Sequence, residues 1–551
     1  MPGPRRPGVL ARVPPARRRG GRAVPDGPSR QHAGRRGCRG SAGEGRRRTQ
    51  LGRPPGEPAG RCSAARGGGV PQAGAEPRPG GVVRGCRVVS SYDVVVVGSG
   101  PGGSVTAREC ARAGLRVLVV EEGERVEPGA VPAYSLEQMR RQYRNQGLTV
   151  ALGRPPIAYT EAACAGGGSE VNSGLYHRPS AELLDAWSRE HAVEALTLPD
   201  VEPWLGTVED RLQVQGRAGE LPPASAALAR GAERLGWAGL DVPRWAVPGP
   251  GHPEKQTMTR TYLADALEAG AELACGSRVD RLDVHDGRVR GVVVAGRTVT
   301  SERVVVAAGA VQSPALLQRS GVPVSGRGLA VHPTVKVVAE FAEDVNDPAD
   351  LATYQVKEFA PALTLGGSAS RPSLIALALS ERGWSVAGEP REAWRRQQVY
   401  YAAIRSRGRG RVRSVPGFRD PVVTYRLTRE DLALLRSGLA RLMHLLLAAG
   451  ATRLLPSYAG AMTVTTNADV APAAAAMTRS RAALMSVHLT GTLPLGERRG
   501  GVVDSWGRVR DVTNLWVNDA SLLPDAPGIN PQGTLMAIAH RNVDRLLRGD
   551  G

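Results

Sequence analysis

The sequence is poor in the residues on which several classes of protein depend. It has 551 residues but only six cysteines, and none of these forms a CxxC pair or has metal-ligand spacing. We therefore expect neither a disulfide framework nor a metal site, and an intracellular, cytoplasmic protein is the simplest interpretation. No apolar run reaches the roughly 18 residues that span a membrane, so we expect no association with a membrane. A GxSxG-type nucleophile turn is also missing, which disfavours serine-hydrolase chemistry.

Lysine is scarce too, since Lys255, Lys336 and Lys357 are the only three in the chain and nearly all positive charge comes from arginine. Residues 1–90 contain 20 arginines, no lysine and four acids, so they carry +16 of the total net charge of +20. They hold too few large apolar residues to offset the entropy of ordering, which predicts a disordered Arg/Gly/Pro-rich tail. Phosphate contacts with a nucleic acid are one interpretation of such a tail. We favour the translation of GC-rich upstream DNA from too early a start, and so expect no nucleic-acid partner.

Ordered structure is predicted to begin with a strand–turn–helix–strand unit. Tyr92–Val97 is a continuous apolar run, as in a buried parallel strand, and the turn Gly98–Gly103 (GSGPGG) follows it. A helix is predicted over 104–113, and Leu115–Val120 is a second apolar strand that ends at Glu121. A GxGxxG turn between a strand and a helix, with an acid after the next strand, predicts a dinucleotide-binding unit.

The glycines of this turn have separate tasks in holding a dinucleotide. Gly98 permits the tight turn, Gly100 lets backbone N–H groups approach a pyrophosphate, and Gly103 allows close packing of helix and strand. The N-terminus of the helix offers partial positive charge to the phosphates. Glu121 is the acid expected to accept hydrogen bonds from ribose hydroxyls, and Glu122 beside it is the alternative. An acid at this place disfavours a 2′-phosphate, and therefore NADP.

The remaining elements predict an α/β protein, with a Rossmann-type domain and a second substrate domain built on an antiparallel sheet with helices. Strands are expected within 278–299, at 304–306, in the apolar runs 335–341, 374–379, 399–404 and 422–427, and at 515–517. Helices are expected over 428–450, with Thr428 as N-cap, and near 532–547. The predicted domains are 91–332 for dinucleotide binding, with an inserted helical segment at about 180–270, 333–460 for the substrate, and 461–551 as a return to the first domain.

Several motifs resemble those of the glucose–methanol–choline (GMC) oxidoreductases, in the same order along the chain. SYDVVVVGSGPGGSVTA and VLVVEEG are similar to the FAD fingerprint of that family, and GGGSEVNSGLYHR at 166–178 is similar to its glycine loop. VVVAAGAVQSPALLQRSGV resembles the second sequence pattern of the family, except that Pro323 follows where the family has Gly. HLTGTLPLG at 488–496 and the segment 502–541 resemble its C-terminal catalytic block.

The resemblance implies FAD as the cofactor and a set of residues that contact it. Besides the glycines of the first turn and Glu121, these are Ser169, Asn172 and Gly174 near the pyrophosphate and isoalloxazine, Val279 at the adenine, Ala308 and Gly309 near the ADP, and Asp519 and Ala520 at the ribityl chain and flavin. Some members of the family attach FAD covalently through a His directly before the loop Asn. Val171 stands at that position, so non-covalent FAD is predicted.

The resemblance also implies oxidation of an alcohol by hydride transfer to flavin N5. The reaction needs a group that accepts the hydroxyl proton, and histidine suits this task because its pKa lies near working pH. His488 stands at the family's catalytic His and is expected to accept the proton, while Asn530 is expected to hydrogen-bond the same oxygen. Among the other histidines, His332, His444 and His540 are expected to be structural, and His177 lies either at the entrance or at the surface.

Membership of a family does not fix the substrate. The EEG and NSGLYHRP segments are similar to dehydrogenases of aminoglycoside antibiotic pathways, which implies oxidation of a primary hydroxyl of an amino sugar to an aldehyde. A cationic substrate needs acids in the pocket, and the substrate domain offers Glu340, Glu343, Asp344 and Glu358. The alternatives are another small alcohol (a sugar, a choline-like compound or a sterol), a non-catalytic FAD-binding protein, and an Arg-rich nucleic-acid binder. The electron acceptor, O₂ or another, is left open.

Overall fold

Helices and strands of this chain build two large sheets. The computed structural model describes residues 91–249, 253–347, 351–383 and 393–549, so the prediction about residues 1–90 lies outside the described residues. The helices are α1 Pro101–Arg112, α2 Leu136–Gln142, α3 Gly168–Val171, α4 Ala181–His191, α5 Leu198–Leu212, α6 Pro223–Leu235, α7 Tyr262–Glu268, α8 Gly309–Arg319, α9 Pro372–Leu379, α10 Arg429–Ala448, α11 Asn467–Ala476 and α12 Gln532–Arg548. The strands are β1 Tyr92–Val97, β2 Val117–Val120, β3 Val150–Ala151, β4 Ile157–Tyr159, β5 Val214–Gln215, β6 Gly239–Asp241, β7 Arg244–Val247, β8 Glu254–Lys255, β9 Glu272–Ala274, β10 Val279–His285, β11 Arg288–Val294, β12 Arg297–Val306, β13 Arg327–Val331, β14 Thr334–Glu340, β15 Tyr354–Val356, β16 Leu363–Gly367, β17 Gln397–Ile404, β18 Arg409–Arg413, β19 Val422–Arg426, β20 Arg453–Pro456, β21 Leu484–Ser486, β22 Leu489–Thr490 and β23 Leu515–Val517.

A seven-stranded sheet contains the predicted dinucleotide-binding unit. Its parallel part has the strand order β23-β12-β1-β2-β9, and β11 and β10 extend it as an antiparallel meander beside β12. The valines at 94–97 are buried, as expected for a strand with neighbours on both sides and layers on both faces. The predicted strand–turn–helix–strand unit is confirmed as β1–α1–β2, although α1 begins at Pro101 and β2 at Val117. The Rossmann-type topology places the glycine turn at the carboxyl end of β1.

The second large sheet has nine strands and is largely antiparallel. Its order is β3-β4-β21-β14-β17-β16-β15-β6, with β20 also paired to β14. The amphipathic helix α10 covers one face, where Leu435, Leu439 and Leu442 belong to the same core cluster as Val335 and Val337 of β14. The predicted antiparallel sheet with helices is therefore confirmed. On the opposite face of β14, Thr334 and Lys336 line the cavity described below.

One sequence-based prediction about this sheet is wrong. The apolar run at 374–379 forms helix α9 instead of a strand. Pro372 lies at the start of that helix, where its fixed φ and missing N–H are tolerated. Ile375, Ala378 and Leu379 are spaced by three and four residues, so they share one helical face, and they pack in a small core with Val338 of β14. A six-residue apolar run fits a strand or a buried helix equally well, and packing decides between them.

The boundaries of the predicted domains remain a prediction. The second sheet draws on β3, β4 and β6, which precede residue 333, and on β21, which follows residue 460. All described residues fall within one compact unit of the chain. Within the described ranges, none of the helices combines the length and the apolar character needed to cross a bilayer.

Candidate active site

The glycine turn between β1 and α1 forms part of the wall of a large cavity. Gly98 has a φ of +100°, and a Cβ there would lie 2.6 Å from the Ala307 carbonyl oxygen. A Cβ at Gly103 would lie 2.0 Å from the Gly98 carbonyl oxygen, so neither position accepts a side chain. Gly100 is the N-cap of α1, which has no side-chain cap and no acid in its first turn. The first turn of α1 therefore offers backbone N–H groups and partial positive charge to an anion.

The two adjacent acids after β2 have different surroundings. Glu121 is buried, and its carboxylate accepts hydrogen bonds from the Ser99 N–H at 3.0 Å and the Ser99 hydroxyl at 2.7 Å. Burial raises the pKa of Glu121. Burial also acts to raise the pKa of Glu122, but ion pairs with Arg144 and Arg419, both at 2.9 Å, bring it down to about 2. Glu122 is thus occupied by arginines, which favours Glu121 as the ribose-binding acid.

A second glycine loop, Gly166–Gly168, packs against the first. Gly167 has a φ of +55°, and a Cβ there would lie 2.7 Å from the Gly100 Cα. The predicted contact residue Ser169 follows in α3, but its hydroxyl donates to a carbonyl of this loop at 2.8 Å and accepts the Met258 N–H at 3.0 Å. Ser169 does not line the cavity. In this structure it holds the loop from behind.

Asn172 and Gly174 lie on the cavity wall just after α3. Asn172 donates to the Gln532 side-chain oxygen at 2.8 Å and accepts the Gly174 N–H at 3.0 Å. The Lys255 ammonium donates to the carbonyl oxygens of Asn172 at 2.7 Å and Glu170 at 2.9 Å. Burial lowers the pKa of Lys255 to about 8. One of the three lysines of the chain therefore fixes the segment that carries Asn172.

Asp519 joins two other segments of the cavity wall. One carboxylate oxygen accepts the Gly309 N–H at 2.9 Å and the Ser313 hydroxyl. The other accepts the Ser521 N–H at 2.8 Å and the Ser521 hydroxyl at 2.5 Å. Burial raises the pKa of Asp519, while these hydrogen bonds lower it. Both oxygens are thus engaged within the chain, and they anchor the turn at Gly309 that lines the cavity.

These segments enclose a single cavity of about 940 Å³. The predicted site residues that line it are Gly98, Gly100, Glu121, Asn172, Gly174, Val279, Gly309, His488, Asp519, Ala520 and Asn530, together with Ala308. Gly103 and Ser169 lie behind the wall. The fold therefore brings the predicted cofactor residues and the predicted catalytic residues to one cavity, although their individual roles stay predictions.

His488 takes part in a chain of hydrogen bonds at this cavity. Its Nδ1 lies 2.7 Å from the Nδ1 of His332, and the Nε2 of His332 accepts the Gly528 N–H at 2.8 Å. The Nε2 of His488 lies 3.4 Å from the side-chain nitrogen of Asn530. Flipping either imidazole would put a carbon where a nitrogen is now hydrogen bonded, so the contacts define the orientation of both rings.

The Gly528 N–H determines which nitrogens of the pair carry protons. A backbone N–H can only donate, so the Nε2 of His332 is unprotonated and a neutral His332 holds its proton on Nδ1. That proton is donated to the Nδ1 of His488, which leaves the proton of a neutral His488 on Nε2. Burial, with the nearby charge of Lys357, lowers the pKa of His488 to about 4, and burial puts the pKa of His332 well below its usual value. By this contact His488 presents an N–H at Nε2 near pH 7, whereas the proton-accepting role expected from the sequence requires a lone pair there. The Asn530 side-chain nitrogen, 3.4 Å from the same Nε2, is also a donor and favours the lone pair, so the Nε2–H form requires the Asn530 amide to face His488 with its oxygen.

The other histidines are distributed between structural and unassigned positions. His444 and His540 bond to an asparagine and a tyrosine outside the cavity wall. His177 does not line the cavity, but its buried ring lies beside Asn530, with which it shares a hydrogen bond. Burial lowers its pKa to about 3. His332, expected to be merely structural, is the one in direct contact with His488.

Two residues that the sequence did not assign also line the cavity, Lys336 on β14 and Lys357 just after β15. Burial lowers the pKa of each ammonium to about 8. Neither ammonium has a hydrogen-bonded or ionic partner among the described residues. The acids expected to face a cationic substrate do not line the cavity; these are Glu340, Glu343, Asp344 and Glu358. The rarity of lysine in an arginine-rich chain was the available signal for this pair.

Comparison with known proteins gives matches over most of the chain. Two family models described as GMC oxidoreductase match residues 139–334 and 405–539, and one described as pyridine nucleotide-disulphide oxidoreductase matches residues 92–181. An uncharacterised GMC-type oxidoreductase of Sinorhizobium fredii is 37% identical over 477 residues, covering 83% of this chain and 94% of the relative. A 5-(hydroxymethyl)furfural oxidase of Methylovorus is 24% identical and covers 83% and 98% of the two chains. The crystal structure of pyridoxine 4-oxidase from Mesorbium loti shares the fold, with a TM-score of 0.65 at 21% identity over 82% of this chain and 98% of that one.

Proposed function

The chain belongs to the GMC oxidoreductase family, and on this premise we propose that it oxidises a primary alcohol to an aldehyde beside His488 and Asn530. Membership makes it an FAD-dependent enzyme that acts on alcohols. The observation that carries the proposal is that His488 and Asn530 line the same cavity as the glycine turn at Gly98–Gly103. Their side chains would contact the alcohol at the flavin end of the bound cofactor.

The residues of the cavity fit FAD. The uncapped N-terminus of α1 at Gly100 would hold the pyrophosphate, Glu121 the ribose, and the backbone of Val279 the adenine. Asn172 would lie beside the flavin. Val171 lines the cavity with an apolar side chain that cannot bond to the flavin, which supports non-covalent attachment. Bound FAD supplies the hydride acceptor, flavin N5.

His488 and Asn530 would position the oxygen of the alcohol. The Nε2–H of His488 donates to that oxygen, and the Asn530 amide, 3.4 Å away, makes a second hydrogen bond to it. Two contacts fix the orientation of the carbon that loses hydride. A donor at this place cannot also take up the hydroxyl proton, so oxidation needs the lone pair that the other tautomer of His488 offers at Nε2.

Acceptance of the hydroxyl proton at the Nε2 of His488 needs the opposite tautomer of the histidine pair. His332 would then carry its proton on Nε2 and accept from the Nδ1 of His488, which requires the Gly528 N–H to turn away. We therefore assign His332 as a positioning residue. It sets whether His488 donates or accepts at the alcohol, and the Gly528 contact favours donation in the resting enzyme.

Anaerobic mixing with alcohols tests the proposed function. The purified protein should be yellow, and a substrate should bleach the flavin absorbance without added NAD and yield an aldehyde. The panel includes amino sugars, sugars, choline and sterols, together with 5-(hydroxymethyl)furfural and pyridoxine. Reoxidation by O₂, compared with an artificial acceptor, identifies the electron acceptor. Flavin that stays oxidised with every alcohol would show that the chain is a non-catalytic FAD-binding protein.

The narrower hypothesis, an amino sugar of aminoglycoside antibiotic biosynthesis, is tested in the same panel and stays a prediction, as does the cytoplasmic location. A cationic amino sugar would be stabilised by acids. The four acids expected for this purpose do not line the cavity, and the unpartnered cations Lys336 and Lys357 do. Glu381 does line the cavity, but the strands that form its wall beside Lys336 and Lys357 contribute no acid for a cationic substrate.

A further inference from the structure

Part of one face of the nine-stranded sheet is polar and lines the cavity. In one row across the strands, Lys336 of β14 pairs with Tyr401 of β17, Tyr401 with Gly366 of β16, and Gly366 with Gln355 of β15. A Cβ at Gly366 would lie 2.6 Å from the Tyr401 hydroxyl oxygen, so the missing side chain makes room for the ring. The Tyr401 hydroxyl accepts a hydrogen bond from Gln355 at 3.0 Å. This row thus presents a cation, a phenol and an amide to the cavity.

The neighbouring row ends in the second lysine. Thr334 of β14 pairs with Ala403 of β17, and Ala403 with Thr364 of β16. Val356, the last residue of β15, pairs with Leu365 of β16. If the same register continues by one residue, Lys357 lies beside Thr364. We refer to the cavity-lining side chains of both rows as the polar sheet face; they are Thr334, Lys336, Gln355, Lys357, Thr364 and Tyr401.

The two lysines stand at opposite borders of the polar sheet face. Three strand spacings and an offset of two residues along the strands separate them, roughly 16 Å between backbones at the usual spacings. Lys357 is close enough to His488 and His332 for its charge to act on both rings, whereas Lys336 acts on neither. Lys357 therefore marks the side of the face nearer the predicted alcohol site, and Lys336 the side farther from it.

The positive charge of this face is uncompensated within the described chain. Neither Lys336 nor Lys357 has an ionic or hydrogen-bonded partner there. Removing an unpaired ammonium from bulk water costs free energy. Groups of this kind are concentrated at functional sites, where a ligand of opposite charge can pair with them. The other polar groups of the face are uncharged. The Tyr401 and Thr364 hydroxyls are donors that suit the remaining lone pairs of an anion, whereas the Thr334 hydroxyl donates to the His332 carbonyl oxygen at 3.0 Å.

We propose that the alcohol oxidised by this enzyme also carries an anionic group, a carboxylate or a phosphate, which binds the polar sheet face between Lys336 and Lys357 while the hydroxyl contacts His488. The inference rests on the proposed function, because it names the substrate class of the same site. The pyrophosphate of FAD does not account for the two lysines, since the N-terminus of α1 at Gly100 is the place that fits it.

Binding of an anion without a reactive hydroxyl tests the inference separately from turnover. The holoenzyme is titrated with furan-2-carboxylate and with the neutral isostere furan-2-carboxamide, and binding is followed by perturbation of the flavin absorbance. We expect the carboxylate to bind more tightly by at least about 10-fold, the size of one charge-assisted hydrogen bond. Inorganic phosphate is titrated in parallel to separate phosphate from carboxylate recognition.

Turnover of matched alcohols tests the same face with substrates. The carboxylate pair is 5-(hydroxymethyl)furan-2-carboxylate and 5-(hydroxymethyl)furfural, and the phosphate pair is pyridoxine 5′-phosphate and pyridoxine. The measured quantity is the ratio of kcat/KM for the anionic member to that for the neutral member. We expect a ratio above one for at least one pair, with the preferred pair identifying the anion.

Charge-removing variants connect the preference to the two lysines. Lys357→Met and Lys336→Met should each bring the anion-to-neutral binding ratio close to one, a loss of about 10-fold, while Lys357→Arg should retain most of the ratio. Arg230→Met is the control for net charge, because Arg230 lies at the surface and pairs with Glu343; it should leave the ratio unchanged.

Three results would overturn the inference. The first is equal binding of furan-2-carboxylate and furan-2-carboxamide by the holoenzyme. The second is a carboxylate preference that both Met variants keep. The third is loss of FAD from both Met variants, which would place the lysines against the cofactor. If carboxylate binding behaves as expected but no alcohol bleaches the flavin, the proposed function fails while the anion site stands.

Discussion

The Nδ1 atoms of His332 and His488 lie 2.7 Å apart, and the Gly528 N–H donates to the other ring nitrogen of His332. Because a backbone N–H can only donate, the Gly528 contact sets the direction of the hydrogen bond between the two rings. In the neutral pair, His332 then donates and His488 carries its proton on Nε2, which requires the Asn530 amide to face that proton with its oxygen. A residue that does not contact the alcohol thereby controls which chemistry His488 offers at the cavity.

Replacing His332 should change both the rate and its pH dependence. In His332→Ala, water can enter beside the Nδ1 of His488 and accept a proton from it, so the imidazolium becomes accessible. We expect the acid limb of kcat/KM, which a pKa of about 4 for His488 places at low pH, to move to higher pH. The rate at pH 7 should fall as the fixed tautomer is lost. His332→Gln, whose amide can still donate to His488, should recover part of the rate, and an unchanged profile in His332→Ala would show that the pair has no such role.

Close packing of the two glycine loops should be essential for FAD binding. Gly167→Ala places a methyl group 2.7 Å from the Gly100 Cα, at a residue whose φ of +55° already disfavours side chains. We expect the purified variant to lose most of its bound flavin, measured as the ratio of absorbance at about 450 nm to that of the protein. Gly206→Ala in α5 is the matched control, since a Cβ there meets nothing within 4 Å. Normal flavin content in both variants would argue against the loop as part of the cofactor site.

Binding of the anionic ligand should weaken above about pH 8. Burial lowers the pKa of Lys336 and Lys357 to about 8, so both ammonium groups are present below that pH and are lost above it. The groups that face them do not titrate there, because the pKa of Tyr401 is raised to about 12 by burial and that of His488 is about 4; His332 and His177 are likewise shifted below their usual value. The Kd of furan-2-carboxylate should therefore rise with pH through this range, while that of furan-2-carboxamide stays level. A flat carboxylate profile from pH 6 to 10 would contradict the assignment.

The sequence predicted best those parts of the fold in which a local pattern has a single structural solution. The run Tyr92–Val97, followed by GxGxxG and a second apolar strand, permits little besides β1–α1–β2. Helix α10 was equally clear, since its amphipathic pattern begins after the N-cap Thr428 and stops at Gly450. In the structure, Thr428 and Asp431 also form a capping box at its start. By contrast, β4 and β21 have three residues each, which is too short for an alternating pattern, so their membership of the second sheet could not be foreseen.

The same distinction applies to the candidate site, where some residues were predictable from local motifs and others were not. The glycines, Glu121, His488 and Asn530 were found because their types and spacing carry a motif. The pairing of His332 with His488 joins residues 156 positions apart, and no local pattern shows whether a histidine donates or accepts. Lys336 and Lys357 were interpreted as part of a GC-rich composition. Their place on the cavity wall depends on the register of β14, β15 and β17, which only the fold reveals.

Anaerobic reduction of the flavin in the wild type and in His488→Ala tests the central claim most directly. With the best alcohol of the panel, the wild type should bleach, and the variant should keep its bound FAD but reduce it more slowly by on the order of 10²–10⁴, the loss typical for one catalytic proton-handling group. Asn530→Ala should fall between the two. A His488→Ala enzyme that is fully flavinated and bleaches at the wild-type rate would contradict the account.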